Sequence, residues 1–208
     1  MICAPDDAII GAVARKPVPM PIAVKSCLDV VFWISDQALN DREYIQPQKL
    51  HRLLYLAQAY FAVAYHGRKL MPATFVTDAF GPVEPTVFHA FAYGRPTMIE
   101  GNMLSEQVSH FLDGIWRRYG PYTADQLTKK IAEHAPVALA MAKGQNEEIP
   151  FADMVKYYSE EAAARNRPAS AVDSIDQVMK PRMMRSQSGK AVTVAAWKPK
   201  AAPAKKDE

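Results

Sequence analysis

The sequence predicts a mainly α protein: a compact multi-helix domain around one central buried helix, with a short β-like insertion and disordered termini. Three observations carry that prediction. The stretch QPQKLHRLLYLAQAYFAVAYHG, Gln46 to Gly67, holds no internal Gly and no Pro after Pro47. Several further segments repeat apolar residues at helical spacing behind cap residues. One Pro- and Gly-punctuated stretch, RKLMPATFVTDAFGPVEP, instead alternates as a strand does.

The central helix comes first. Pro47 suits a first helical turn, where a missing N–H costs nothing, and Gly67 stands where a C-cap glycine belongs. At 100° steps its apolar residues cover roughly 200° of arc, about twice the stripe of an ordinary surface helix. It is therefore expected to be enclosed, with a remaining strip of Gln48, His51, Arg52, Tyr55, Gln58, Ala59 and Ala62.

A preceding helix is expected from about Pro21 to Leu39, with Val24, Cys27, Leu28, Val31, Phe32, Ile34 and Leu39 on its apolar face and Asn40-Asp41 as its break. After Gly67, TFVTDAF reads as a short strand, Gly81-Pro82 as a turn, and Pro85 as the start of a short helix stopped by Gly94. That arrangement either points Phe88 and Phe91 at the core or presents Phe80, Glu84 and His89 to a partner. Residues 95–104 read as a loop. Ser105 is the expected N-cap of the next helix, SEQVSHFLDGIWRRYG. Thr123 with Gln126 forms a capping-box pattern for TADQLTKKIAEHA, which Pro136 is expected to end. VALAMAKG reads as a turn, and Pro150 as the start of a last helix. A short helix over Val172–Met179 fits the pattern in the tail.

The 208 residues and 49% hydrophobic content suffice for one domain with extensions. Charge is uneven. Residues 1–165 carry 16 Lys/Arg and 18 Asp/Glu, a net −2, whereas 166–208 carry 9 and 4, a net +5. The boundaries follow: a flexible extension over 1–20, a helical domain over 21–165, and a basic, largely disordered tail over 166–208. Two distant cysteines, Cys3 and Cys27, fit a reducing compartment. Asp6 and Asp7 stand where a signal peptide needs positive charge, and no stretch approaches a membrane span. A cytoplasmic protein without membrane contact is expected.

The residue pattern points to no catalysis. None of the five histidines, His51, His66, His89, His110 and His134, has a partner at a metal-ligand spacing. Cys27 lies on an apolar face without a base, and Glu147-Glu148 and Glu160-Glu161 read as solvated helix faces. No catalytic residue, cofactor or metal is expected. The tail admits three readings: phosphate contact through its Lys and Arg with Trp197 stacking, docking on a partner protein, or a bland linker.

Three blocks together resemble a known family. KLHRLLYLAQ, FGPVEPTVF and YGPYTADQL, in this order, are similar to the signatures of the Panacea domain, also called GepA or SocA-like. Lys49, Leu50, Leu53, Leu54, Tyr55, Ala57 and Gln58 match the first block. Gly81, Pro82, Val83, Pro85 and Val87 match the second, and Tyr119, Gly120, Thr123 and Leu127 the third. Phe80 and Phe88 stand where Tyr is usual, and Arg52 where the family has Lys.

The resemblance implies a bacterial antitoxin that binds and neutralises a cognate toxin, in SocA-like members by delivering it to an ATP-dependent protease. The alternative is a nucleic-acid-binding or phage-associated regulator using the basic tail. Exposure and aromatic or Arg preference make Lys49, Arg52, Tyr55, Gln58, Phe80 and Glu84 the candidate partner-binding residues. Of these, Tyr55 and Gln58 are expected to bond the Phe80–Pro85 turn, and Arg52 to face the partner.

Overall fold

The computed structural model describes residues 22–96 and 101–163, together with the backbone of 184–185 and 191–192. The expectations for 1–20, for Val172–Met179 and for most of 166–208 lie outside the described residues.

Among the described residues, seven helices and a three-stranded antiparallel sheet make up the domain. They are α1 (Cys27–Asn40), α2 (Pro47–Ala64), β1 (Phe75–Asp78), β2 (Gly81–Val83), α3 (Pro85–Ala90), α4 (Glu106–Tyr119), α5 (Ala124–Ala132), α6 (Ala135–Lys143), β3 (Glu148–Ile149) and α7 (Phe151–Ala163). In the tail, β4 (Met184–Arg185) pairs antiparallel with β5 (Ala191–Val192), a contact the composition did not foreshadow.

The central helix is enclosed more completely than its apolar arc requires. Every residue from Lys49 to Ala62 is buried. α1, α4, α5, α7 and β2 pack around it. Leu53, Leu54, Leu56 and Phe61 have no exposure, and burial of each such side chain is worth about 1.5–3 kcal/mol. The C-terminus closes with a Schellman arrangement: the Gly67 N–H donates to the Ala62 carbonyl at 2.7 Å. His66, at φ 53°, takes the left-handed position expected of a glycine, and Gly67 follows it at φ 84°.

The caps fall where the sequence puts them. Ser105 Oγ accepts from the Val108 N–H, and Thr123 and Gln126 form the full capping box. Three expectations need correction. First, α1 starts at Cys27, not Pro21. Ser26 caps it, and the Ala23 and Val24 N–H groups donate to the Lys69 and Leu70 carbonyls at 3.0 and 2.8 Å. Those bonds hold the lead-in as a bend against the segment that follows α2. Second, Pro136 begins a helix, α6, where a stop and a turn were expected; Val137 and Ala140 bury its inner face. Third, Gly81-Pro82 lies in strand β2, and the turn is Ala79-Phe80.

The sheet has the order β2-β1-β3. Phe75 and Val76 pair with Ile149 and Glu148, so the Glu147-Glu148 pair belongs to a strand and its approach, not to a helix face. The Thr77 hydroxyl fastens this edge by donating to Gly144 O at 2.8 Å and accepting from Glu147 N at 3.1 Å.

A buried tyrosine cluster joins α2, α4 and α7. Tyr119 and Tyr60 share a hydroxyl–hydroxyl bond of 2.7 Å, and Tyr158 Oη lies 2.7 Å from His134 Nδ1. Satisfying those hydroxyls is what allows such bulky polar rings to be enclosed. Burial pushes the Tyr158 hydroxyl well above its ordinary pKa.

Candidate functional site

The six candidate residues divide sharply. Arg52 is 1% exposed and faces inward. Its Nη2 donates to the Phe80 carbonyl, Nη1 to Gln48 O and Nε to Thr128 Oγ1, both at 3.2 Å. Burial pulls its pKa down, and the charge of Asp78 opposes that shift. Gly81, at φ 119°, lies against the guanidinium: a Cβ there would stand 3.4 Å from Nη2. Arg52 therefore holds the hairpin turn, the role expected of Tyr55 and Gln58.

Gln58 pins a different segment. Its Nε2 donates to Met71 O at 3.3 Å and its Oε1 accepts from Met71 N at 3.1 Å, fixing the approach to β1. The Tyr55 ring stands edge-on to Phe75, at 5.5 Å between centroids. Its hydroxyl faces Tyr158 without reaching hydrogen-bond geometry. Lys49 pairs with Glu43 and lies 5.7 Å over the Trp116 ring. The Glu84 carboxylate caps α3 by accepting from Val87 N at 2.6 Å. All five are buried, and only Phe80 is exposed, at 57%. The expectation that these polar residues are presented outward is overturned. Arg52, Gln58 and Glu84 spend their hydrogen-bonding capacity inside, on backbone groups that burial would otherwise orphan.

Leu139, Tyr93 and Met103 are exposed singly, but other exposed apolar residues gather at one place. A groove of about 550 Å³ opens between the end of α1, the start of α2 and helix α3. Leu39, Tyr44, Ile45, Leu50, Phe88 and Phe91 line most of it. Leu39, Tyr44 and Phe88 remain exposed beside it, at 64%, 81% and 57%, so Leu39, expected on the apolar face of α1, stands in solvent at the end of that helix instead. Phe91 packs inward on Phe32, at 6.1 Å, as expected; Phe88 does not. Glu43 and Arg95 add one charge of each sign to the lining, and each has an ion-pair partner, Lys49 and Asp36.

His51 is the titratable group in the groove wall that is fully packed, at 4% exposure. Its Nδ1 accepts from the Glu84 backbone N–H at 3.3 Å. Burial, and then the charge of Arg52, push its pKa down to about 4, with Asp78 opposing. The ring is thus neutral near neutral pH, with its hydrogen on Nε2. Sequence reasoning set this histidine aside as ordinary. It also missed the groove. The one available signal was Leu39 and Tyr44, two large apolar residues flanking the polar Asn40–Glu43 break.

A second hollow lies between α1, Arg95-Pro96 and residues 101–104. Among the described residues, no cluster of His, Cys, Asp or Glu has the make-up of a metal site, and no helix is long and apolar enough to cross a membrane. Burial raises the Cys27 thiol to about 11, with Glu84 adding to the shift, so this thiol is poorly disposed to act as a nucleophile. No protein-family model, curated protein or solved structure matches the chain.

Proposed function

We propose that the protein is an antitoxin that binds a cognate toxin by protein–protein contact. The observation that carries this reading is the exposed apolar groove with Leu39, Tyr44 and Phe88 at its edge. An apolar patch rimmed by charge is how soluble proteins meet partners. The three sequence blocks that resemble the Panacea domain add support, since they meet in one part of the fold: α2, the β2–α3 segment and the α4–α5 corner.

In the adaptor form of this reading, a second surface engages an ATP-dependent protease. The basic tail supplies it, tethered at high effective concentration. The test is co-expression with the product of the neighbouring gene in a bacterial host. Relief of that product's toxicity by this chain supports the antitoxin reading, and a non-toxic product or no relief sinks it. Relief that vanishes in a protease-deficient host supports the adaptor form; relief that persists there leaves sequestration.

The net +5 of residues 166–208 favours one second reading, a nucleic-acid-binding regulator. It requires DNA binding that falls steeply with salt and disappears when 166–208 are removed.

A further inference from the structure

One packed ring in the groove wall is hydrogen-bonded on one side only. His51 is 96% enclosed by the 4% exposure that remains, and its Nδ1 is occupied by the Glu84 N–H. The Nε2–H on the other side of the ring has no acceptor among the described residues. That nitrogen is not among the side-chain atoms sealed from solvent. The ring lines the groove, with Phe88 beside it at 6.4 Å between centroids. Solvent in the groove therefore reaches this donor, and a ligand seated there must offer an acceptor in place of water.

We infer that the groove takes an apolar peptide segment of a partner protein, and that a backbone carbonyl of this segment accepts the hydrogen bond from His51 Nε2. The inference rests on the protein-binding reading above and gives it a location. A neutral acceptor fits because nothing cationic is free to meet a carboxylate there: Arg52 is turned to Phe80, Gln48 and Thr128, and Arg95 to Asp36. A peptide fits better than an enclosed small molecule because the apolar surface runs past the groove onto Leu39, Tyr44 and Phe88, which a small ligand would leave wet. Burial keeps His51 neutral, so the donor is present throughout the physiological range.

The test is selection of a phage-displayed library of random linear peptides on the full chain. Selected peptides should carry large apolar residues. They should lose about 30-fold or more in affinity on the Leu39→Glu/Phe88→Glu double variant. Both side chains are largely in solvent, so that variant should keep the wild-type circular dichroism and melting transition. His51→Asn is the sharper probe. Its Oδ1 replaces Nδ1 as acceptor for Glu84 N–H, and its Nδ2 donor stops short of the position that Nε2 holds in the groove. It should weaken the same peptides about 3- to 10-fold, the worth of one hydrogen bond. Selected peptides that bind the double variant as well as wild type overturn the inference, and so does a library that yields no groove-dependent binder. Sedimentation showing self-association abolished by the double variant would overturn it in favour of a second copy as occupant. Peptide binding with no relief of toxicity by the wild-type chain would sink the antitoxin reading and leave the peptide site standing.

Discussion

The hairpin side of α2 and the groove side use polarity in opposite ways. On the hairpin side, Arg52, Gln58 and Glu84 are buried and bonded to backbone groups of Phe80, Met71 and Val87. On the groove side, Leu39, Tyr44 and Phe88 stay in solvent around one enclosed donor. The polar residues build, and the apolar residues are left uncovered. The lesson is that a polar strip on an enclosed helix marks backbone to be satisfied, while an interaction surface is found by locating apolar residues that the fold leaves uncovered.

The largest break in that contrast comes from Arg52→Ala. It strands the Phe80 carbonyl and opens a cavity beneath β2. A loss of about 3 kcal/mol is expected, measured by urea unfolding. Arg52→Lys should recover little, because one ammonium cannot span three acceptors in different directions.

Acid should produce an effect of similar size. His51 titrates at about 4 in the fold, against 6.5 for the ordinary group. Between those values the unfolded chain binds a proton that the folded chain does not, so stability rises with pH across the window. The contribution is complete above pH 6.5 and is lost as pH falls toward 4, about 3 kcal/mol in all. Unfolding free energies measured across this window should lose that slope in His51→Asn. An unchanged slope would place the acid sensitivity in another group.

Gly81→Ala sharpens the hairpin side. At φ 119° an L residue is strained, and its Cβ meets the guanidinium at 3.4 Å. About 2 kcal/mol should be lost in the same unfolding measurement. The groove side should give the smallest stability effect: Leu39→Glu should stay within about 0.5 kcal/mol of wild type.

How much of this was legible in the sequence follows from range. Ser105, Thr123 and Gln126 were readable because a cap is settled within one turn of chain. The mainly helical class and the central helix were readable from period and length. Pro136 was misread because a proline suits both the end of one helix and the first turn of the next, and only burial of Val137 and Ala140 decides between them. Strand β3 has two residues and no pattern of its own; its pairing with Phe75 and Val76 comes from far along the chain. Arg52 was placed outward because polar residues usually are, and its acceptors Phe80 and Thr128 are 28 and 76 residues away. The groove draws its walls from three helices, so no local stretch announces it.

The most direct test of the division between a building side and a binding side is toxin rescue by the Leu39→Glu/Phe88→Glu double variant, in a strain where the wild-type chain protects. The expected result is loss of protection by a protein that accumulates and melts as wild type does. Full protection by that folded variant would contradict the account, because the groove would then have no part in holding the partner.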